Sequence, residues 1–361
     1  MRSRFSILLI MLWVLSVSGQ QMSFEDYNPK STLKVPGDAV NYAKFPAVDI
    51  HSHHFNMPTQ DLSTLIAAMD SLNLAVLVNL SGGSGDHLKG AIENVREHYP
   101  SRFLVFANVD FDGVGDPQWG DRAAALLEED VRNGAVGLKI YKSLGLRNRD
   151  TEGKRIAVDD PRLDPIWQKC AELNIPVLIH SADPKSFWDP MNADNERWLE
   201  LKTRPRRKRG DTNPAPWQTI IDEQHRMFRK HPNTIFINAH MGWYANDLAR
   251  LAELMDQMPN MYVGIAAIIA ELGRQPRYAR EFFIKYQDRI LFGKDSWQPS
   301  EFPTYFRVLE TADEYFPYHK KYHAFWAMYG MELPDEVLKK VYYKNALKIF
   351  PSIDRSLFPD P

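Results

Sequence analysis

Two histidines, His51 and His53, stand two residues apart at the end of an apolar run that reads Val-Asp-Ile-His-Ser-His. Alternate residues of a β-strand point to the same face, so both imidazoles can face one side of the strand. Adjacent imidazoles pack poorly in a core, but they are good ligands for zinc and similar metals. The pair therefore indicates a metal site, although a His-x-His pair alone is a weak signal.

Three further polar residues end other apolar runs of the same kind. His180 follows Pro-Val-Leu-Ile, His240 follows Phe-Ile-Asn-Ala, and Asp295 follows Ile-Leu-Phe-Gly-Lys. A buried, hydrogen-bonded core histidine could account for any one of them. The recurrence of five groups that bind metals or transfer protons, at the ends of four such runs, instead predicts a single site.

Eight runs of β-branched and aliphatic residues alternate with amphipathic stretches along the chain. Most runs are nearly continuously apolar, which is typical of parallel strands buried on both faces. We therefore predict an α/β fold, a (β/α)8 barrel with its active site at the carboxyl ends of the strands. A doubly wound open sheet is the alternative, and the lack of a glycine-rich phosphate loop argues against it. The predicted strands are Ala47–His53, Leu74–Leu80, Phe103–Val109, Ala135–Tyr141, Pro176–Ala182, Thr234–His240, Met261–Ala267 and Ile290–Ser296.

Helices are predicted between the strands and after the last strand, from apolar residues at helical spacing. The clearest ones between strands are Asp61–Leu72, Leu163–Leu173 and Asp247–Met258. Three more should complete and flank the barrel, namely Phe302–Tyr315, His319–Met328 and Pro334–Phe350.

The connection between His180 and Thr234 is more than fifty residues long, longer than the others. Its first half is aromatic and polar, and a basic run, Arg204–Arg209, follows. Because it starts at the active-site face of the predicted barrel, we interpret it as a lid that governs substrate choice. A solvated insertion is the alternative. We expect no residue of 185–212 to bind the metal.

The composition is that of a folded enzyme, with 44% hydrophobic and 25% charged residues among 361. The 44 basic residues nearly balance the 46 acidic ones, which gives no electrostatic case for nucleic acid as a partner. A single cysteine, Cys170, excludes an intrachain disulfide and a cysteine-cluster metal site. We expect a small-molecule substrate, and a homo-oligomer is left open.

The first nineteen residues have the pattern of a secretory signal peptide, with Arg2 and Arg4 before an apolar run. Small residues near Gly19 predict cleavage there, a secreted or periplasmic protein, and no membrane insertion of the mature chain. An uncleaved membrane anchor is the alternative. The predicted organisation is a signal peptide over 1–19, a lead segment over 20–44, the barrel over 45–351 and a tail over 352–361.

Taken together, these motifs resemble the amidohydrolase superfamily, and in detail its amidohydrolase-related branch (amidohydrolase family 2), which includes aminocarboxymuconate-semialdehyde decarboxylases. The resemblance extends from about residue 45 to residue 350 and is not specific for a substrate. It implies a distorted (β/α)8 barrel and a divalent metal, usually zinc. The matching stretches are Val48–His53, Gly137–Lys139, Asp160–Leu163, Pro176–His180, Ala239–His240, Leu291–Asp295 and Asn345–Ala346.

The resemblance also implies roles for individual residues. His51, His53, His180 and Asp295 match the metal ligands of the superfamily, and His240 matches a histidine that polarises the substrate or moves protons. We therefore expect one zinc per chain. Asp295 would accept a proton from metal-bound water, and a protonated His240 would stabilise the oxyanion or assist the leaving group.

Lys139 is the ambiguous residue of the set. It matches a strand-four lysine that is carboxylated and bridges two metals in the two-metal members of the superfamily. A lysine must be neutral to react with carbon dioxide, so this role requires a site that lowers its pKa. A substrate-facing ammonium and a purely structural role are the alternatives, and the branch mostly looks one-metal.

Four residues beyond the strand ends are weaker candidates for substrate binding. Arg274 and Arg277 could hold a substrate carboxylate through paired hydrogen bonds, or they could form ion pairs at a helix start. Trp243 and Trp297 could wall the pocket, or they could pack in the core or at the rim.

The leading functional hypothesis is a metal-dependent hydrolase that cleaves an amide, ester or lactone-type bond of a small molecule. The alternative is a non-oxidative decarboxylase, a lyase on the same barrel. A binding protein without chemistry is a third class, and the complete five-residue set argues against it. The first two differ in product mass, because a hydrolase adds water and a decarboxylase releases carbon dioxide.

Overall fold

The computed structural model describes residues 21–37, 40–321 and 323–360. The predicted signal peptide lies outside these ranges. The chain divides into two units, Met1–Leu33 and Lys34–Pro361. In the first, the Ser23 hydroxyl donates a 2.7 Å hydrogen bond to Asp26 within a turn. The second contains all the strands and helices given below, and no helix in the described ranges is both long and apolar enough to cross a membrane.

Parallel strands occupy all eight of the predicted positions. The third position is interrupted at Phe106 and consists of two short strands. The strands are β1 (Ala47–Ser52), β2 (Leu74–Asn79), β3 (Phe103–Val105), β4 (Ala107–Asn108), β5 (Leu138–Ile140), β6 (Val177–Ile179), β7 (Phe236–Asn238), β8 (Met261–Gly264) and β9 (Ile290–Leu291).

Backbone hydrogen bonds place these strands in the order of their sequence. Strands β1 to β3 form one parallel sheet, and β4 to β9 form a second one. The end of the second sheet returns to the first strand, because the Ile50 amide donates to the Phe292 carbonyl (3.1 Å) and the Asp295 amide donates to the His51 carbonyl (2.7 Å). The α/β barrel fold predicted from the sequence is thus confirmed.

Helices lie between the strands at the predicted places, with ends shifted by one or two residues. The helix predicted to reach Tyr315 instead ends at Glu310, because Thr311 adopts an extended conformation. A π-helical turn, Lys340–Lys344, joins the last two helices. The helices are α1 (Ser63–Ser71), α2 (Gly85–His98), α3 (Trp119–Asn133), α4 (Ser143–Leu146), α5 (Asp164–Glu172), α6 (Trp198–Thr203), α7 (Trp217–Lys230), α8 (Leu248–Gln257), α9 (Ile269–Gly273), α10 (Pro276–Lys285), α11 (Phe302–Glu310), α12 (Asp335–Lys339) and α13 (Asn345–Ile349).

The helix predicted over His319–Met328 is wrong. This stretch instead contributes to an antiparallel pair, β10 (Phe316–Pro317) with β11 (Ala327–Met328). The Tyr318 amide donates to the Trp326 carbonyl (3.0 Å), and the two rings lie 6.0 Å apart. The aromatic residues therefore pack on one another across the loop, and they do not form the apolar face of a helix.

The approach of β1 to the segment after β9 depends on a glycine and a buried carboxyl group. A Cβ atom on Gly293 would lie 2.9 Å from the Cβ atom of His51, so no larger residue fits there without a shift. Asp49 is 1% exposed, and its Oδ1 accepts from the amides of His51 (2.9 Å) and Lys294 (3.2 Å). Asp49 therefore ties the first strand to the last.

Replacing Asp49 with alanine should destabilise the fold, because two buried amides would lose their acceptor. An unsatisfied buried donor costs roughly 1–3 kcal/mol, so we expect Asp49→Ala to lower the free energy of unfolding in urea by about 2 kcal/mol. Asp335→Ala is the matched control, because the Asp335 ion pair with Lys44 is 51% exposed on each side and should contribute under about 1 kcal/mol. Equal losses in the two variants would contradict the role of Asp49.

Candidate metal centre

The five predicted site residues converge at the carboxyl ends of β1, β6, β7 and β9. The Oδ1 atom of Asp295 lies 3.7 Å from His51 Nε2 and 3.5 Å from His53 Nε2. The rings of His180 and His240 are 4.3 Å apart, and those of His51 and His240 are 5.1 Å apart. One cluster thus contains four imidazoles and a carboxylate.

The innermost group of the cluster includes a residue that the sequence analysis did not assign as a ligand. Ligand atoms of His51, His240 and Asp295 lie within 4.8 Å of one another, which makes them a group that could hold a metal ion. His240 was predicted to act on the substrate and not to bind metal. His53 and His180 flank this group. His53 Nε2 lies 3.5 Å from Asp295 Oδ1, and His180 Nδ1 lies 3.2 Å from His240 Nε2. Their roles as ligands remain predictions.

Unpaired nitrogen atoms show that the cluster fits a cation. Both ring nitrogens of His51 and the Nε2 atom of His180 are buried without a hydrogen-bond partner among the described residues. Buried polar atoms are almost always paired, so such atoms need a ligand to explain them. Imidazole nitrogens with one carboxylate oxygen suit zinc, and also manganese or iron.

Burial keeps the imidazoles of the cluster neutral. It lowers the pKa of His51 and His180 well below the usual value, and it lowers the pKa of His53 and His240 to about 4. Only a neutral imidazole binds a metal, so all four rings are in the required state near neutral pH. The sequence analysis expected a protonated His240, but burial makes the neutral imidazole the form present near neutral pH.

A chain of hydrogen bonds fixes which nitrogen of His180 carries its proton. His240 Nδ1 lies 2.7 Å from the Ala266 carbonyl, which can only accept, so His240 carries its proton on Nδ1. Its Nε2 must then accept from His180 Nδ1, so neither nitrogen of His240 keeps a free lone pair for a metal while this bond stands. The Nε2 atom of His180 is left with a free lone pair, as a metal ligand requires.

The backbone at the strand ends adopts conformations that cost energy. Asp295 has φ 85°, His240 φ 57°, Ala267 φ 57° and Ala182 φ 59°, so each is left-handed although none is glycine. Such residues cost on the order of 1–3 kcal/mol each and cluster at functional sites, where the surrounding structure enforces them. All four follow strands that surround the cluster.

Asp295 remains ionised within this buried cluster. Burial acts to raise the pKa of its carboxyl group, but His240, His53 and Lys139 outweigh that effect and hold the pKa below its usual value. A group that is ionised near neutral pH can accept a proton. The predicted role of Asp295 as a base is therefore electrostatically consistent.

Lys139 lies beside the cluster, and within the described ranges it makes no ion pair that would explain its burial. It is 1% exposed, and its Nζ has no hydrogen-bond partner in the described part of the chain. The ammonium lies 5.5 Å from the centre of the Tyr141 ring. Burial lowers the Lys139 pKa to about 7, which meets the requirement for carboxylation without selecting between the bridging and substrate-facing roles.

A cavity of about 320 Å³ opens above His180, His240 and Asp295. The long connection supplies much of its wall, which agrees with its interpretation as a lid over the site. Four cationic side chains line the cavity, and the sequence analysis assigned a role to none of them. They are Lys142, Arg197, Arg207 and Lys320.

Of the four weaker candidates for substrate binding, one lines the cavity and three do not. Trp243 walls the cavity as predicted, with its ring stacked 4.6 Å from that of His240. Trp297 packs on the ring of Phe302 at 5.6 Å and does not line the cavity. Arg274 pairs with a glutamate of the long connection (3.0 Å) and Arg277 is exposed, so the structure brings neither arginine to the cluster.

Comparisons with known proteins place this architecture in a family. No curated protein matches the chain. A 2,6-dihydroxybenzoate decarboxylase, solved with 2,6-dihydroxybenzoate, has 16% identity and a TM-score of 0.54 over 85% of this chain and 99% of that one. A dihydroxybenzoic acid decarboxylase from Polaromonas sp. JS666, solved with bound manganese and an inhibitor, 2-nitroresorcinol, has 14% identity and a TM-score of 0.54 over 87% and 99%.

A 4-oxalomesaconate hydratase from Rhodopseudomonas palustris has 14% identity and a TM-score of 0.50 over 86% of this chain and 97% of that one. At these identities the solved structures show a shared fold alone. The family model described as Amidohydrolase matches residues 97–352, which is more than half of the chain. The protein therefore belongs to the amidohydrolase family, as an enzyme of its family-2 branch.

Proposed function

We propose that this protein is a metal-dependent hydrolase of small molecules that carry a carboxylate group. One observation carries the proposal, namely an ionised Asp295 beside neutral imidazoles at the base of a cavity with cationic walls. The carboxylate can accept a proton from water, and the cationic walls favour an anionic substrate.

The residues of the cluster have complementary tasks in such a reaction. A divalent cation held by the histidines and Asp295 would supply Lewis acidity, which lowers the pKa of water and polarises a carbonyl group. Asp295 Oδ1 is within 4 Å of the Nε2 atoms of His51 and His53, so the base and the two imidazoles lie around the same position. Asp295 takes up a proton from water and can then deliver it to the leaving group.

Among the cationic side chains of the cavity, Lys320 has the least compensated charge. Lys142 pairs with Asp183, and Arg207 pairs with Glu200. Lys320 Nζ lies 3.9 Å from Glu301, but the Nζ of Lys294 is closer to the same carboxylate, at 2.5 Å. We therefore assign to Lys320 the contact with the substrate carboxylate.

Decarboxylation on the same frame is the second candidate. The cationic cavity can also hold a carboxylate that is to be lost, and two of the proteins with this fold are named as decarboxylases. In that reaction the carbon–carboxylate bond breaks, carbon dioxide leaves, and the carbon takes a proton from an acid. Because its lowered pKa keeps Asp295 ionised near neutral pH, it is in the form that accepts a proton and not in the form that donates one, so hydrolysis stands first.

The experiment that separates the candidates is the mass of the product. The purified, metal-loaded protein is incubated with carboxylate-bearing esters, lactones and amides, and separately with hydroxybenzoates. Products that have gained water support the hydrolase. Turnover confined to products that have lost carbon dioxide would overturn it in favour of the lyase.

Removal of His51 should abolish metal binding. We propose about one equivalent of zinc per chain, and His51→Ala should lose it because both ring nitrogens of His51 are buried with no hydrogen-bond partner from the residues described. His87→Ala is the control, because His87 is exposed. Elemental analysis of both variants measures the metal. Two equivalents in the unmodified protein, with a carboxylated Lys139, would instead indicate a two-metal enzyme.

Asp295→Asn should remove turnover while much of the metal stays bound. Asparagine keeps one ligating oxygen but cannot take up a proton, and a general base contributes on the order of 10²–10⁴-fold. Turnover number and metal content are measured together. The control is Asp247→Asn, an exposed helix cap where asparagine serves equally well. Near-native turnover by Asp295→Asn would show that Asp295 is not the base.

Lys320→Gln should weaken binding of a carboxylate-bearing substrate and leave metal binding unchanged. A hydrogen bond to a charged group contributes about 1.5–3 kcal/mol, so we expect KM to rise roughly 10- to 100-fold. Lys321→Gln is the matched control, because the neighbouring Lys321 is exposed and does not line the cavity. Steady-state kinetics with an anionic substrate and its neutral methyl ester provide the test. An equal rise for both substrates would contradict the assignment.

A further inference from the structure

A chain of three hydrogen bonds runs from His53 to the backbone on the side away from Asp295. His53 Nδ1 lies 2.8 Å from Ser81 Oγ, which lies 2.8 Å from the Tyr141 hydroxyl. The Tyr141 hydroxyl donates to the Leu80 carbonyl at 3.2 Å. Neither Ser81 nor Tyr141 has a task in the mechanism above.

The chain has one direction that satisfies every contact. The Leu80 carbonyl can only accept, so the single hydroxyl proton of Tyr141 belongs to that bond. The Ser81 hydroxyl must then donate to Tyr141, and Ser81 Oγ must accept from His53 Nδ1. The reverse direction would leave the oxygen atoms of Tyr141 and Leu80 facing each other without a proton.

We propose that Ser81 and Tyr141 are positioning residues that hold the His53 proton on Nδ1 and thereby keep the Nε2 lone pair free for the metal. The proposal rests on His53 as a metal ligand, and it holds whether the enzyme hydrolyses or decarboxylates its substrate.

The surroundings hold this chain in place. Ser81 is 3% exposed, and its amide donates to the Asn79 side chain at 2.9 Å, which fixes where its hydroxyl lies. The Tyr141 ring stacks on the His53 ring with centroids 5.7 Å apart. Burial also raises the pKa of Tyr141, so its hydroxyl keeps the proton that the chain needs.

The same arrangement occurs at the second flanking histidine. His180 donates from Nδ1 to His240, which in turn donates to the Ala266 carbonyl. In both chains a backbone carbonyl is the final acceptor, and in both the histidine is left with a free Nε2. Partners of this kind typically change metal affinity 10- to 100-fold when they are removed.

Tyr141→Phe tests the proposal, because phenylalanine keeps the ring that stacks on His53 and removes only the hydroxyl. The Ser81 proton is then free to turn toward His53 Nδ1, which moves the His53 proton to Nε2. We expect zinc to bind 10- to 100-fold more weakly, by competition with a chromophoric chelator. Imidazole ¹⁵N shifts of the full-length protein, freed of metal by chelation, should report Nδ1–H in the unmodified protein and Nε2–H in the variant.

Four further variants complete the experiment. Tyr286→Phe is the matched control, since the Tyr286 hydroxyl also has acceptors within reach, the Asp256 carboxylate at 2.9 Å and the Ala252 carbonyl at 3.2 Å. It should leave zinc affinity and the His53 tautomer unchanged. Ser81→Ala should weaken zinc binding to a similar degree, and the double variant should be no weaker than either. The His53 signals are assigned by their loss in His53→Ala.

Three results would overturn the proposal. They are an Nε2–H tautomer of His53 in the unmodified protein, zinc affinity of Tyr141→Phe within twofold of the unmodified value, and weaker binding without a change of tautomer. If Tyr141→Phe does not fold by circular dichroism, Ser81→Ala decides by the same two measurements. No readout requires a substrate, so a wrong reaction assignment would not affect the outcome.

Discussion

The close approach of the first strand to the end of the last strand is the constraint on which the whole site depends. Gly293 lets the two backbones meet, and the Asp49 carboxyl group holds one amide from each. The Asp295 amide then binds the His51 carbonyl directly. Because these contacts fix the backbone, the Asp295 carboxylate has to lie beside both imidazoles of the first strand. The geometry of the site therefore depends on how the first and last strands meet.

The cluster that results is poor packing by the ordinary standards of a protein interior. Neutral imidazoles and a lysine that find no hydrogen-bond partner among the residues the structure describes, together with left-handed residues, each cost free energy. The surrounding strands, buried on both faces, supply the stability that tolerates this arrangement. A bound cation would satisfy the unpaired nitrogens, so metal binding should stabilise the fold as well as enable the reaction.

The strand ends could be predicted because parallel buried strands give continuous apolar runs, and a polar residue at the end of each run stands out. The cationic side chains of the cavity wall could not be predicted in this way. Arg197 and Lys320 lie in irregular segments, and the position of Arg197 depends on Glu271, far away in sequence, at 2.6 Å. The false helix over 319–328 has the same origin, since only tertiary contacts decide how an aromatic-rich stretch folds. The neutrality of His240 likewise follows from burial, which a sequence motif does not report.

The protons held by the cluster bear on which reaction the site is built for. With Asp295 ionised and the imidazoles neutral, the five residues of the cluster begin a catalytic cycle with a base and without an acid among them. In hydrolysis the proton comes from water. Water gives a proton to Asp295, and Asp295 then passes it to the leaving group. Decarboxylation needs a proton on carbon before any water has been deprotonated, so Asp295 would first have to take up a proton from solvent. The buried environment that prepares the imidazoles for a metal thus supports the proposed hydrolysis, in which water is the source of the proton.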